Sequence, residues 1–431
     1  MSDFLKRKSN DTNKSSLLIL IVCLSGLFID GYILYISSIA LPLIQKQYAL
    51  TAFELGITQS VTLIGAAFGA IIFGKLSDKL GRKKLLIYNL IFFIVASVLS
   101  ALSWNVLSLI TFRLFIGIAV GMDYPICAAY MVEMIEKSKI KQYVAIAMCF
   151  NCLASPIGVI IAWIIINLYP QINAWRFILV SSAIWAVLAL FLRSKLPESI
   201  LWKRQKQFEL KNSKIPFRKH FRTLVSREYL KMTLAFSCIW FFMNVAYYGI
   251  GSFTPMIIAS LNINSQSSLL ISIQDVIYST LLVNLFILAG AFCAIWLIQR
   301  INSIYLQKIG LLMSFIGLAT LSLSSISSVL VINMTLLFGG FILFNFFINL
   351  GPGITTYLLP AEYYPTEIKA TGHGFASGIA KTGAFLGAIS LPILQFYLGI
   401  YITIFIVSIT LLIGFLITGR LFVSDNLNSL T

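Results

Sequence analysis

Long apolar stretches separated by short polar segments run along almost the whole chain. A helix that crosses a bilayer needs about 20 mostly apolar residues, and stretches of this length recur twelve times. The stretch from Leu17 is too long for a signal-peptide core and lacks a small-residue cleavage site, so we expect it to stay as a helix. The pattern predicts an all-α integral membrane protein with transmembrane spans at about 17–42, 55–74, 85–103, 107–132, 143–168, 175–192, 230–258, 272–298, 305–323, 328–358, 372–396 and 399–420.

One long polar and basic segment, residues 193–229, divides these spans into two groups of six. We therefore expect an N-terminal six-helix half over residues 1–192, a cytoplasmic basic linker, and a C-terminal six-helix half over residues 230–431. If the N-terminus is cytoplasmic, 28 of the 32 Lys and Arg residues fall in the inner segments. Because basic residues concentrate on the cytoplasmic side of membrane proteins, this distribution predicts that both termini are cytoplasmic.

Composition agrees with a membrane protein and excludes several other classes. The chain is 59% hydrophobic and 11% charged, with a net charge of +17, whereas a soluble domain is about a quarter charged. The basic residues are thinly spread and set topology, so we expect no nucleic-acid partner. Neither of the two His residues has a neighbour at metal-ligand spacing, and no nucleophile–base pattern or phosphate loop stands out. We expect no enzyme activity, metal or cofactor.

Between spans 2 and 3 the sequence reads GKLSDKLGRKK, starting at Gly74. Gly74 permits close helix approach and Gly81 permits a tight turn. Asp78 can face the positive end of a neighbouring helix, and Arg82 can pair with Glu133 at the inner end of span 4. A loop that only sets topology explains the basic residues but not the Gly and Asp spacing. The loop resembles the signature of the major facilitator superfamily, and this resemblance implies that these residues hold the inner gate.

Three further segments are similar to the sugar-porter-like branch of that superfamily. They are the span 4 pattern from Arg113 to Glu133, the Pro-Glu-Ser that contains Glu198, and residues 360–375, which contain Glu362. The resemblance adds Glu198 and Glu362 to the gating residues. Span 7 lacks the sugar-binding pattern of this branch, which weakens a sugar as the substrate.

Other segments resemble the phosphate:proton symporters and the bacterial organic-metabolite:proton symporters. They are the Asp-Tyr-Pro at Asp123, the run WFFMNVAYYG from Trp240, and Lys381 with the residues after it. The Asp-Gly-Tyr at Asp30 resembles the organic-metabolite group. We add Asn349 to the solute site because a polar side chain in an apolar helix needs a hydrogen-bond partner. The resemblance implies that the other solute-binding residues are Tyr124, Trp240, Asn244, Tyr248 and Lys381.

Four charged residues lie at membrane depth in the predicted spans, away from the span ends, namely Asp30, Arg113, Asp123 and Lys381. Such a residue costs roughly 3 kcal/mol at the bilayer centre and is functional by default. A carboxylate beside Arg releases its proton more readily than one buried alone. If Asp30 pairs with Arg113 in one state of the transporter and not in another, the proton affinity of Asp30 alternates between the two states. Asp123 matches a second titratable site of the phosphate:proton symporters. An inert buried ion pair remains an alternative, and Lys381 is either a substrate anchor or the counter-ion of Asp123.

We therefore expect a proton-coupled symporter of a small polar solute that works by rocking of its two halves. An organic acid or phosphate is favoured, because Arg113 and Lys381 supply two intramembrane cations. A sugar or polyol is the alternative, followed by a transport-dead solute sensor and a drug exporter. The expected partners are the solute, protons and the lipid bilayer, and we expect a monomer in the plasma membrane, most simply the bacterial inner membrane.

Overall fold

In the computed structural model of the protein, the described residues are 2–80, 82–134, 140–195, 198, 224, 226, 229–261, 269–325, 333–364 and 369–428. These residues form α-helices and a short 3₁₀ helix, Leu323–Ser325, with no strand among them. The α-helices are α1 Ser2–Tyr48, α2 Ala52–Leu80, α3 Arg82–Ala101, α4 Val106–Met134, α5 Ile140–Leu168, α6 Ala174–Ser194, α7 Leu230–Leu261, α8 Leu269–Leu297, α9 Ser303–Ser322, α10 Met334–Leu350, α11 Pro352–Tyr363, α12 Lys369–Leu398 and α13 Ile400–Asn428.

The twelve predicted spans are confirmed, with one correction at the tenth. Eleven stretches of the described residues are long and apolar enough to cross a membrane, and α2, with 29 residues, supplies a further helix of spanning length. The tenth span, predicted as one helix over residues 328–358, is divided at Gly351 into α10 and α11. Pro352 has no backbone N–H and a fixed φ, so it starts a helix more readily than it continues one.

Close packing of small residues holds the helix pairs α2–α4 and α7–α12 together. A methyl group on Gly121 would overlap a backbone carbonyl of α2, and one on Gly387 would overlap a backbone carbonyl of α7. The Gly-x-x-x-Gly spacing predicts these contacts, since small residues let helix backbones approach. The same spacing at Gly374 and Gly378 predicts a further contact, but no described atom lies within 4 Å of a methyl group there.

The helices fall into two groups that meet along a central seam. Helices α1–α6 pack on one another, as do α7–α13, and the groups touch through α1–α7, α2–α12 and α5–α8. Helix α6 ends at Ser194 and α7 begins at Leu230, so most of the predicted linker lies outside the described residues. The seam therefore places the inner faces of α1, α5, α7 and α12 around the centre of the molecule.

Candidate solute and proton site

Two adjoining cavities lie on the seam between the helix groups. The first is lined by residues that include Asp30, Tyr35, Asn151, Tyr248, Asn345 and Lys381. The second is lined by residues that include Trp240, Asn244 and Asn349. Both cavities share Asn151, Tyr247, Tyr248 and Lys381. The structure therefore brings Asp30 and five of the six residues predicted for solute binding around one central space, although their roles stay predictions.

Asp30 is the carboxylate among the described residues that line these cavities. It lies on α1 and is buried, and its Oδ2 has no hydrogen-bond partner among the described residues. Its charged neighbours are Asp123, Lys381 and Arg193. A charged carboxylate oxygen that is buried without a partner is costly, and a proton on this oxygen would remove that cost.

Lys381 faces the same space from α12, in the C-terminal half. Its Nζ lies 3.4 Å from the hydroxyl of Tyr248 and 5.3 Å from the centre of the Tyr248 ring. The Asn244 amide donates to the backbone carbonyl of Ala380 at 3.0 Å, which fixes α12 next to Lys381. A cation and a hydroxyl at the cavity wall can bind an anionic group together.

A hydrogen-bonded network crosses the seam beside Lys381. The hydroxyls of Tyr35 on α1 and Tyr247 on α7 lie 2.9 Å apart. Tyr247 also donates to Asn349 Oδ1 at 3.5 Å, and Cys152 Sγ lies 3.4 Å from the same oxygen. The network joins α1, α5, α7 and α10, so it links the two halves directly. The sequence gives no sign of the Tyr35–Tyr247 contact, because two tyrosines in separate apolar spans read as packing residues.

Arg113 lies away from both cavities and does not pair with Asp30. Its Nη2 donates to Ser37 Oγ at 3.0 Å and to Gln59 Oε1 at 3.2 Å. Ser37 is seven residues beyond Asp30 on α1, or about 10 Å along the helix axis. The predicted ion pair between Asp30 and Arg113 is therefore absent from this conformation, since Arg113 meets neutral acceptors two helical turns away.

Asp123 forms a buried ion pair with Arg193, a residue that the sequence assigns to the basic linker. Arg193 Nη1 lies 2.6 Å from Asp123 Oδ1, and Nη2 donates to Oδ2 at 2.7 Å. Arg193 belongs to α6 and is fully buried, so its assignment to the linker was wrong. The direct counter-ion of Asp123 is thus Arg193 rather than Lys381. Nothing in the sequence separates Arg193 from the other basic residues that follow span 6.

The aromatic wall of the second cavity is formed around Trp240. The Trp240 ring meets Tyr357 edge-on, with centroids 6.2 Å apart, and His373 at 5.4 Å. The His373 Nε2 lies 3.1 Å from the Tyr357 carbonyl oxygen. These contacts join α7, α11 and α12 and hold Trp240 in place.

The predicted gate is partly described, and Glu198 has a clear contact in it. A carboxylate oxygen of Glu198 accepts hydrogen bonds from the backbone N–H groups of Arg82 at 3.0 Å and Lys83 at 3.1 Å. Negative charge is stabilising at a helix N-terminus, so Glu198 fastens the segment after α6 to the start of α3. Arg82 is buried, and Glu362 lies half-buried near the end of α11.

Several predicted residues lie where no side chain is described. Gly81 is outside the described residues. The backbone is helical at four further predicted residues, namely Gly74, Asp78, Tyr124 and Glu133, but the described side chains do not include them. The predicted Arg82–Glu133 pair and the predicted contact of Asp78 with a helix end therefore also lie outside the described side chains.

A helical membrane protein with a polar central cavity between two six-helix halves has the architecture of a secondary transporter. The chain matches the Major Facilitator Superfamily over residues 23–388. It therefore belongs to this superfamily of transporters, which are not enzymes, and it is a multi-pass membrane protein.

Individual relatives are distant but cover most of the chain. The inner membrane metabolite transport protein YgcS of Escherichia coli (strain K12) is 26% identical over 409 residues, covering 90% of this chain and 87% of that protein. Inorganic phosphate transporter 1-1 of Oryza sativa subsp. japonica is 26% identical over 430 residues, covering 84% and 81%. The xylose transporter XylE from E. coli, in a partially occluded inward-open conformation, has a TM-score of 0.79 at 16% identity and covers 94% and 98%. The likeness to XylE concerns the fold alone.

Proposed function

We propose that the protein is a proton-coupled symporter of a small anionic solute that works by alternating access. This proposal is based on the position of Asp30 and Lys381, which line one cavity from different halves. Asp30 binds the proton and Lys381 binds the anionic group of the solute. The two sites are close enough for each to affect the other, since Lys381 is among the charged neighbours of Asp30.

Coupling follows from the cost of moving an uncompensated charge. When the two halves rock, each wall of the cavity exchanges one set of neighbours for another. A proton on Asp30 adds one positive charge to the cavity, and a bound anion adds one negative charge. Since a change of net charge inside the membrane is expensive, a cavity that holds both closes more easily than one that holds only the proton or only the anion, and the proton and solute move together.

An organic acid fits the described cavity better than phosphate. The sequence predicts two intramembrane cations for the anion, but Arg113 is hydrogen-bonded to Ser37 and Gln59 and lines neither cavity. Lys381 is thus the cation that the described lining offers, which suits a single negative charge. Tyr248 and Trp240 supply aromatic surface for the organic part of such a solute. The relative named as an inorganic phosphate transporter supports an anionic substrate, and the relative named as a metabolite transport protein supports a small organic one.

A sugar or polyol is the second candidate, and the amides of the cavity favour it. Asn151, Asn284 and Asn345 line the first cavity, and Asn349 lines the second. Carboxamides both donate and accept hydrogen bonds, as sugar hydroxyls require. The fold shared with the xylose transporter XylE supports the same candidate.

Uptake into proteoliposomes under an imposed inward proton gradient tests this function. The panel contains benzoate, lactate, citrate, inorganic phosphate and xylose. We expect accumulation of one solute class that stops when a protonophore collapses the gradient, and we expect Asp30→Asn to abolish accumulation while solute binding remains. The control is Glu54→Gln, which removes a half-buried carboxylate in the first turn of α2, outside the lining of both cavities. Exchange without net uptake would rule out symport, and accumulation by Asp30→Asn would rule out this proton site.

We also propose that both termini are cytoplasmic and that the transporter is a monomer in the bacterial inner membrane. The placement of 28 of 32 basic residues in inner segments supports the orientation. Cysteine labelling from each side of the membrane tests it, and labelling of a terminus from the outside would contradict it.

A further inference from the structure

A second buried charge cluster lies one helical turn from Asp30. Gly26 is four residues before Asp30 on α1, so the two share a helix face. A methyl group on Gly26 would overlap both Asp123 Oδ2 and Arg193 Nη2. The Asp123–Arg193 pair therefore packs directly against α1 beside the proposed proton site. Neither partner is among the described residues that line the two cavities.

The guanidinium of Arg193 engages both oxygens of Asp123, and the surroundings complete the pair. Asn89 Nδ2 donates to Asp123 Oδ1 at 3.2 Å, and Arg193 Nη1 donates to the Leu86 carbonyl at 3.1 Å. Two-pronged contacts of this kind are the strong form of the arginine–carboxylate interaction. Asp123 is thus held by side chains of α3 and α6 at once.

Among the described residues, the other titratable groups near this cluster are two thiols, the Asp30 carboxylate, and the hydroxyl of Tyr357 on α11, which neighbours both thiols. Cys23 on α1 and Cys127 on α4 are buried thiols, and Arg193 Nη2 lies 3.9 Å from Cys127 Sγ. Asp30 is the remaining carboxylate nearby, and Lys381 faces Asp30 from α12. Among the described residues, the hydrogen-bond partners of the Asp123–Arg193 pair belong to α3, α4 and α6, which lie in one half with α1. Rocking of the halves therefore leaves the pair intact.

We infer that Arg193 is a positioning residue that keeps Asp123 ion-paired throughout the transport cycle, so that Asp30 alone carries the proton. This inference rests on the proposed function and adds to it a coupling of one proton per solute. It reassigns Asp123, which the sequence places among the proton-coupling residues. Without Arg193, the Asp123 carboxylate would lie uncompensated in an apolar interior, where such a group takes up a proton rather than stay charged. Arg193 thereby prevents a second proton-binding site from forming beside the first.

Infrared difference spectra between low and high pH test this inference on the purified full-length protein without any solute. A buried protonated carboxyl group has its own C=O stretching band. We expect one such band that Asp30→Asn removes and that the double variant Asp123→Asn/Arg193→Gln leaves in place. We expect Arg193→Gln alone to add a second band, because it leaves Asp123 without its cation. Arg193→Lys keeps the cation and should show the wild-type spectrum.

The outcomes separate this inference from the proposed function. If the band survives Asp30→Asn, the proposed proton site is wrong and the inference is overturned with it. If the band is lost in the double variant, the inference about Arg193 is overturned while symport can still be measured by uptake. Removing one partner of a buried ion pair is more damaging than replacing both, so Arg193→Gln can fail to fold. The wild-type, Asp30→Asn and double-variant spectra then decide the matter.

Discussion

Replacement of Lys381 by Gln removes the cation that we assign to the solute and leaves a side chain of similar length. Lys381 Nζ lies 3.4 Å from the Tyr248 hydroxyl, and both residues line both cavities. An anionic group that contacts both of these residues would lie about 3 Å from the ammonium, as charge-assisted hydrogen bonds do. Gln can still donate a hydrogen bond there, so the substitution isolates the charge.

The expected effect is large enough to measure. Two unit charges about 4 Å apart attract by about 4 kcal/mol at an effective dielectric constant of about 20. Desolvation of both groups offsets part of this attraction, and hydrogen bonds to charged groups are worth about 1.5–3 kcal/mol net. At about 1.4 kcal/mol for each factor of ten, Lys381→Gln should weaken binding of an anionic solute by about 10- to 100-fold.

The assay is equilibrium binding of the transported solute to purified protein by isothermal titration calorimetry. The matched control is Lys195→Gln, which removes an exposed lysine at the end of α6, where its ammonium lies 4.2 Å from the centre of the Phe191 ring. We expect the control to bind as the wild type does. Unchanged affinity in Lys381→Gln, with the protein folded, would refute the assignment of an anion to this site.

Three further predictions concern the seam, the gate and the packing. Tyr35→Phe should slow transport because it removes the hydrogen bond to Tyr247, worth about 1 kcal/mol. Tyr247→Phe also removes the contact with Asn349, so the double variant should be no slower than Tyr247→Phe, and additive losses in uptake rate would contradict this. Glu198→Gln should lower the free energy of unfolding in detergent by about 0.5–1 kcal/mol, because it removes a negative charge from the N-terminus of α3. The melting temperature should fall accordingly, and an unchanged melting temperature would show that Glu198 does not stabilise the start of α3. Gly121→Leu should prevent α2–α4 packing and leave unfolded or aggregated protein by size-exclusion chromatography, whereas a monodisperse, wild-type peak would show that the contact tolerates bulk.

Most of the fold follows from the sequence because one physical rule dominates it. A membrane span must satisfy its own backbone hydrogen bonds and present apolar side chains, so each span is a long apolar helix. The basic residues then predict the orientation of the spans. The break at Gly351 cannot be predicted in this way. Pro352 lies inside an uninterrupted apolar stretch, and a proline that kinks a helix cannot be told in the sequence from one that ends it.

The candidate site is less predictable, since it depends on which faces of separate helices meet. The resemblance groups Trp240, Asn244 and Lys381 in one site, and the structure places them around one cavity, although their roles stay predictions. The partners of the buried charges are harder to predict, because a charge in an apolar span shows that a partner is needed without showing which one. In this conformation Arg113 meets Ser37 rather than Asp30, as a pair predicted for one state only allows, and Arg193 at the end of α6 lies next to Asp123.

The most direct test of the central claim records external pH when solute is added to proteoliposomes without an imposed proton gradient. A solute that enters down its own gradient through a symporter must bring protons with it, so the external medium becomes more alkaline. We predict alkalinisation that matches the entry of radiolabelled solute at one proton per molecule and that is absent with Asp30→Asn. Entry of radiolabelled solute through the wild-type protein with no change in external pH would contradict proton coupling.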